Sequence, residues 1–242
     1  MRNAPATLVG MRMALLIAVS ALVVGCSRGP DGPTDATEPT ATTGMTTSTT
    51  HAKSSTPVAT KPALAPSTPP PQGAAIADVV GWIEAGTPAD VAGFHSMTRG
   101  AESTALGDGV AFTTAGAETS CVTNRYRDGA LACLVKLTDP PPRPAGIESA
   151  WKGNWVDFVG TTVDVGSAHG DPGPFGDGTG AELPSGQTLA FGDYRCRADP
   201  TGLFCVDYAH RTAVALSARG VETFGCLKKT TPPAEIGLRF SC

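Results

Sequence analysis

The chain has 242 residues, of which 18 are basic and 22 are acidic, giving a formal net charge of −4. Residues 74–242 hold 13 basic and 19 acidic side chains without a basic cluster, which argues against nucleic acid or anionic lipid headgroups as partners of this part. After the first 24 residues, no apolar stretch is long enough to span a membrane.

The first 26 residues have the features of a lipoprotein signal sequence. Arg2 and Arg12 provide a short positive region, and an uncharged apolar segment follows over 13–24. This segment is shorter than the roughly 20 apolar residues of a membrane-spanning helix. It ends in Val-Val-Gly-Cys, where Gly25 leaves room for a peptidase and the Cys26 thiol can take a diacylglyceryl group. We therefore expect residues 1–25 to be removed and Cys26 to anchor an exported protein. The alternatives are an ordinary secretory signal or an uncleaved apolar anchor.

Residues 26–73 are predicted to form a disordered tether. Positions 27–73 contain 12 threonines and nine prolines, almost no aliphatic residues and no aromatic ones. Such a segment cannot bury enough apolar surface to offset the entropy of ordering it. Its prolines make it more extended than a Gly/Ser linker, so it is expected to hold a domain away from the membrane. Its composition is also typical of O-glycosylated stalks.

The remaining residues, 74–242, are predicted to form one globular domain with three disulfides. Six cysteines in an exported chain favour disulfide pairing. The spacing favours nearest neighbours, because a turn signal separates the first two cysteines and another separates the next two, although fifteen pairings are possible. A zinc site is disfavoured, since there is no Cys-x2-Cys pattern or neighbouring histidine. The six are Cys121, Cys133, Cys196, Cys205, Cys226 and Cys242.

One or two short helices are predicted to open this domain. Apolar residues at helical spacing predict a helix over 76–83, which Gly86 can end. Thr87, followed by proline and later a carboxylate, favours a second helix that buries Val91, Phe94 and Met97 and stops at Gly100.

After Gly100 the pattern is typical of an antiparallel β domain. Short apolar or alternating runs are separated by Gly, Pro or Asp, so the fold class is expected to be mainly β (α+β) and disulfide-clasped. The two cysteine-flanked turns also resemble each other in sequence, as two similar hairpins would. The predicted strands are 110–114, 131–137, 155–159, 160–166, 189–191, 203–207 and 213–216.

No standard catalytic motif is present in the sequence. There is no G-x-S-x-G elbow, phosphate-binding loop, His-Glu-x-x-His or dinucleotide fingerprint, and no cofactor is expected. The domain has three histidines, His95, His169 and His210, whose default role is packing or surface exposure. A hydrolase remains an alternative, in which His169, Asp171 and a distant serine act together.

The loop 169–182 is rich in glycine, proline and acid. Three carboxylates, those of Asp171, Asp177 and Glu182, are weak candidates for a hard cation such as calcium, although the spacing is not that of an EF-hand. A long surface loop with turn residues is the favoured interpretation, so no metal site is predicted.

Aromatic residues provide the candidate binding positions. Phe175 lies within this loop, and an exposed aromatic ring often marks a binding surface. Trp151 and Trp155 can stack a sugar or a peptide, or else pack in a hairpin.

Several of these features together resemble mycobacterial and actinobacterial lipoproteins of the Lpp/Lpq type. They are the Val-Val-Gly-Cys signal, the Thr/Pro tether, the Cys-x8-Cys segment 196–205 and the ending Arg-Phe-Ser-Cys. The resemblance implies a location in the cell envelope and brings no catalytic residues. We therefore expect a lipid-anchored, non-enzymatic binding module whose envelope partner is unknown. The alternatives are an envelope hydrolase and a purely structural envelope protein.

Overall fold

The computed structural model describes residues 67–123, 125–127 and 129–242. The predicted signal sequence, the anchor Cys26 and the tether up to residue 66 lie outside these residues. Within them the chain forms two β-sheets, a separate hairpin, one α-helix and three short 3-10 turns. No helix in this part of the chain has the length and apolar character needed to cross a bilayer.

Six strands form the first sheet, with strands numbered in chain order throughout. They are antiparallel except for the first pair, which is parallel. Their spatial order is β1 (Thr87–Pro88), β10 (Gln187–Phe191), β11 (Tyr194–Asp199), β12 (Gly202–Asp207), β13 (Thr212–Ser217) and β14 (Gly220–Phe224).

Eight strands form the second sheet, and a short hairpin of β2 (Ser96–Arg99) and β3 (Glu102–Ala105) stands apart from both sheets. In the eight-stranded sheet only the last pair is parallel. Its spatial order is β15 (Lys228–Thr230), β16 (Ile236–Ser241), β8 (Thr162–Ala168), β7 (Trp151–Phe158), β6 (Leu131–Val135), β5 (Thr119–Thr123), β4 (Ala111–Thr113) and β9 (Ala181–Glu182).

The two sheets pack face to face around one apolar core. Side chains alternate along each strand, so Leu203 and Cys205 of β12 point into this core while Phe204 and Val206 point away from it. Aromatic rings join the sheets, as in the contact between Phe158 and Tyr194, whose ring centroids are 5.5 Å apart. The domain is a β-sandwich, and the prediction of a mainly β, antiparallel domain is confirmed.

The helix α1 (Ile76–Glu84) covers the outer face of the six-stranded sheet. Its buried face consists of Val79, Trp82 and Ile83. The Trp82 ring meets the outward-facing Phe204 edge-on with centroids 4.8 Å apart, and the Arg197 guanidinium lies 3.9 Å from its ring centroid. The helix predicted over 76–83 is therefore confirmed, and it ends before Gly86 as expected.

The predicted second helix is wrong. Thr87 and Pro88 form the edge strand β1 instead, parallel to β10, where a proline is tolerated because an edge strand has unpaired positions. Asp90 rather than Thr87 acts as a cap, accepting a hydrogen bond from the backbone N–H of Ala92 at 3.1 Å. Only one 3-10 turn, Val91–Phe94, results before the chain turns into β2.

All three nearest-neighbour cysteine pairs are disulfide-bonded. Cys121–Cys133 joins directly opposed residues of β5 and β6, and Cys196–Cys205 does the same for β11 and β12. These two bonds lie in opposite sheets and face the same core. Cys226–Cys242 ties the segment before β15 to the residue after β16.

Each predicted strand corresponds to an observed one. The segments 155–159 and 160–166 do pair as a hairpin, although β7 begins at Trp151, earlier than predicted, and a register irregularity lies between Lys152 and Val156. The hairpin of β2 and β3 and the strands β9, β14, β15 and β16 are not predicted from the sequence.

Candidate functional site

The turns of the sandwich gather at two opposite ends. In an antiparallel sheet, successive hairpin turns alternate between ends, so the β10–β11 and β12–β13 turns share one end of the six-stranded sheet. The β5–β6 and β7–β8 turns and the loop that enters β4 gather at the same end. We call this the pocket end, because a cavity opens there.

The cavity has a volume of about 700 Å³, within the range of small-molecule sites in proteins. Loops of both sheets and one residue of the 169–182 loop form its wall. The lining residues are Ala105, Leu106, Asp108, Gly109, Val122, Thr123, Arg125, Gly129, Ala130, Val159, Pro174, Phe191, Gly192, Asp193, Tyr194, Asp207 and His210.

Aromatic rings form part of the wall and extend from there into the core. The rings of Phe191 and Tyr194 are stacked, with centroids 5.7 Å apart and planes inclined by 22°. The Tyr194 hydroxyl donates towards the carbonyl oxygens of Gly129, at 2.7 Å, and Phe158, at 3.0 Å. Burial, and then the nearby Asp207 carboxylate, raise the pKa of Tyr194 well above its ordinary value. The phenol therefore stays protonated and links the wall of the pocket to both sheets.

A carboxylate and a histidine form a hydrogen-bonded pair in the pocket. Asp207 Oδ1 accepts from the backbone N–H of His210 at 2.9 Å and lies 3.0 Å from His210 Nδ1. The side chain of Asp207 is 4% exposed, whereas that of His210 is 44% exposed. The buried acid thus fixes the orientation of an accessible imidazole, and it also closes the β12–β13 turn as short acidic side chains commonly do.

Gly160 makes room for this pair. Its φ is +78°, and a Cβ built on it would contact His210 Nδ1 and lie 2.6 Å from Asp207 Oδ2. Its carbonyl oxygen accepts a 2.6 Å hydrogen bond from the buried Thr212 hydroxyl, which holds the β7–β8 turn against the β12–β13 hairpin. Only glycine satisfies both the backbone conformation and the close approach.

A second polar cluster lies on the outer face of the eight-stranded sheet. Asp157 and Asp164 are paired across β7 and β8, and Arg127 Nη1 lies 3.4 Å and 3.5 Å from their Oδ2 atoms. Burial raises the pKa of Asp157, with Trp155, Arg127 and His169 acting in the opposite direction. These contacts hold the β5–β6 loop, which carries Arg127, against the outer face of the sheet.

The predicted binding residues Trp155 and Phe175 lie in a packed layer above this sheet. Trp155 is 1% exposed, with the His169 ring 3.9 Å and the Phe175 ring 5.1 Å from its own ring, centroid to centroid. Phe175 is half-buried and packs against the buried cluster that contains Met97 and Trp155. In this structure Trp155 offers no open face to a ligand, so the prediction of binding at these rings remains without support.

Trp151, the third predicted binding residue, covers glycines on two neighbouring strands. A Cβ on Gly166 of β8 or on Gly237 of β16 would fall 2.7 Å or 3.1 Å from its ring atoms. Its indole N–H donates to the Pro141 carbonyl oxygen at 3.0 Å. Trp151 is therefore half-buried and holds the proline-rich β6–β7 connection onto the sheet.

The three weak metal candidates of the 169–182 loop have separate surroundings. Asp171 Oδ1 accepts from the Gly173 N–H at 2.8 Å, Asp177 forms an ion pair with Arg125 at 3.1 Å, and Glu182 is exposed on the edge strand β9. In the described part of the chain, no three His, Cys, Asp or Glu side chains come together as metal ligands.

The glycines of this loop allow close contact with neighbouring strands. A Cβ on Gly178 would clash with the Thr98 carbonyl, and one on Gly180 with the backbone of Ala111. The glycines let the loop lie directly against β2 and β4.

The histidine and the carboxylate of the alternative hydrolase hypothesis, His169 and Asp171, have separate contacts. His169 stacks on Trp155, and burial lowers its pKa, while Asp171 is used in its own turn. Within the described residues no hydrogen bond joins His169 to Asp171. Asp207 and His210 do form a hydrogen-bonded carboxylate–histidine pair, which is not predicted from the sequence.

The fold and cavity define a disulfide-bonded β-sandwich domain with a pocket at one end. Comparisons with protein-family models, with curated proteins and with solved structures find no match for this chain.

Proposed function

We propose that this protein is a lipid-anchored binding module of the cell envelope that takes a small ligand in the cavity at the pocket end. The cavity carries the proposal, because loops from both sheets form it. Hydrogen bonds that the Tyr194 hydroxyl donates and the Asp207 carboxylate accepts stiffen its wall. Binding sites are commonly found on loops positioned by a rigid scaffold.

The position of the tether supports this proposal. Pro69, Pro70 and Pro71, the last part of the predicted tether, line the same crevice as the β11–β12 and β13–β14 turns. These turns lie at the end of the six-stranded sheet opposite to the pocket end. If Cys26 is lipidated, the anchored segment therefore enters the domain at the end opposite to the pocket.

Binding can be tested with a pocket-blocking variant and a matched control. Ala105 is exposed on β3 and lines the cavity, whereas Ala101 is exposed at the turn of the same hairpin and does not line it. Ligand-observed NMR of the full chain against a mixed fragment library should give ligands that Ala105→Trp loses and Ala101→Trp keeps. A library without any Ala105-dependent ligand would contradict the proposal.

The lipid anchor is tested separately. Bacteria expressing the full chain and fed an alkyne-bearing fatty acid should label the protein, and Cys26→Ala should lose the label. Labelling of the Cys26→Ala variant, or none of the original chain, would contradict anchoring at this residue. This outcome would not bear on the pocket.

The Asp207–His210 pair favours a second candidate function, hydrolysis by a water molecule that His210 deprotonates. The described pocket wall offers no serine or cysteine nucleophile, so a binding role is preferred. A panel of chromogenic esters and amides distinguishes the two. Hydrolysis that His210→Gln abolishes and His95→Gln retains would support the enzyme, and background rates throughout would exclude it for those substrates.

A further inference from the structure

We infer that the pocket is selective for a ligand that carries a positively charged amine, an inference that rests on the proposed binding function. Three carboxylates, those of Asp108, Asp193 and Asp207, line the cavity, against the cationic Arg125 and the histidine His210. A cleft lined by one sign of charge concentrates ligands of the other sign.

The two accessible carboxylates stand on fixed turns. Asp193 belongs to the two-residue turn between β10 and β11, and its carbonyl oxygen accepts from the Tyr208 N–H at 2.9 Å. Asp108 precedes Gly109, whose N–H donates to Leu106 O at 3.1 Å and whose carbonyl oxygen lies 2.7 Å from His95 Nδ1. Both acids are exposed, so a ligand ammonium can reach them without a large desolvation cost.

Arg125 does not offset this charge. Its guanidinium forms an ion pair with Asp177 at 3.1 Å and lies 5.1 Å from the centroid of the Tyr126 ring. Asp177 thus neutralises Arg125 and leaves the three lining carboxylates without a compensating arginine. An anionic ligand would have to compete with Asp177 for Arg125 and would meet the three lining carboxylates as well.

The aromatic wall suits the same ligand. Phe191 is half-buried, lines the cavity and has Tyr194 stacked on it. The face of an aromatic ring attracts an ammonium group, most strongly where water is partly excluded. Carboxylates around an aromatic ring thus combine two attractions that an amine satisfies and a phosphate or carboxylate does not.

Titration of the full chain with spermidine by calorimetry, at low and at physiological salt, tests this inference. We expect binding that weakens as salt rises, that Ala105→Trp abolishes and that Asp108→Asn and Asp193→Asn each weaken by about five-fold. Asp139→Asn removes the same charge from an exposed position outside the pocket and should leave the affinity unchanged.

The outcomes separate the inference from the proposed function. If neutral or acidic fragments bind in an Ala105-dependent manner and spermidine does not, the amine inference is overturned and the binding function stands. Spermidine binding that is unchanged in Asp108→Asn, Asp193→Asn and Ala105→Trp would also overturn the inference, because it would reflect general attraction to an acidic protein. If no compound of any charge binds, both the amine inference and the proposed binding function are contradicted.

Discussion

Arg239 and Asp164 face each other across β16 and β8 and are joined by two hydrogen bonds, Nε to Oδ1 at 2.6 Å and Nη2 to Oδ2 at 2.7 Å. The Asp164 side chain is 2% exposed and also lies within ion-pair distance of Arg127. A two-pronged contact of this kind holds the C-terminal strand in register with the rest of the sheet.

Replacing Arg239 by methionine should lower the free energy of unfolding by about 3 kcal/mol, because a buried carboxylate loses its main partner. Urea denaturation measures the change. Lys136→Met is the control, since it removes an exposed ion pair with Glu118 and should alter stability by no more than about 1 kcal/mol. Equal effects of the two substitutions would show that the Asp164 pair is not special.

Trp82 attaches α1 to the six-stranded sheet. Its removal in Trp82→Ala takes away the contacts with Phe204 and Arg197 and leaves a cavity, so we expect a loss of about 3–5 kcal/mol. Asp78→Asn changes an exposed residue of the same helix and should stay within about 0.5 kcal/mol. Thermal or urea unfolding would decide, and a small effect of Trp82→Ala would mean that the helix contributes little to folding.

His169 should make stability depend on pH. Burial lowers its pKa in the folded domain, with Asp157 opposing this and Lys152 adding to it. The unfolded chain therefore binds more protons as the pH falls below the ordinary histidine pKa of about 6.5. The contribution of His169 is complete above that pH and is lost as the pH falls through the lower folded pKa.

The raised pKa of Asp157 acts in the opposite direction, since its contribution is complete below the ordinary aspartate pKa and is lost as the pH rises through the folded value. In urea titrations from pH 5 to pH 8, a range that spans the histidine transition, His169→Gln should lose the rise in stability that the original chain shows. A parallel pH profile of the two proteins would contradict the prediction.

The three disulfides should differ in their resistance to reduction. Cys226 and Cys242 are exposed, whereas the other four cysteines are at most 2% exposed. A thiolate must reach the sulfur it attacks, so a mild reductant should open Cys226–Cys242 first. Alkylation of the folded chain followed by mass spectrometry should label these two cysteines before the rest. In denaturant all six should react alike, and early labelling of Cys196 or Cys205 would contradict the order.

Local sequence patterns are sufficient to predict α1, the two disulfides in the core and the strands that bury one face. Each of these features depends on neighbours within about a dozen residues, such as the turn between Cys121 and Cys133. The prediction of a second helix is wrong because the structure of this segment depends on a distant strand. Thr87 and Pro88 have a helix-start pattern, but pairing with β10, a hundred residues later, places them in a sheet.

The pocket could not be predicted because its wall comes from distant turns. Asp108, Asp193 and His210 have no regular spacing in the sequence. Asp193 and His210 lie on turns at one end of the six-stranded sheet, and Asp108 joins them only when the two sheets pack together. The Asp-x-x-His sequence at 207–210 is a local pattern, but short acidic side chains bond to the backbone of turns whether or not a site is present. For Trp155, the sequence suggests a binding residue, whereas the structure buries its ring in packing contacts.

The disulfides link cysteines that follow one another in the chain, with sequence separations of 12, 9 and 16 residues. During synthesis from the N-terminus, the first unpaired partner that each of these six cysteines meets is therefore its native one. If the Cys26 thiol is blocked, an oxidant that joins the other six cysteines in order of appearance would produce this one pairing out of fifteen without later exchange. The domain can thus acquire its covalent cross-links hairpin by hairpin, before the two sheets have come together.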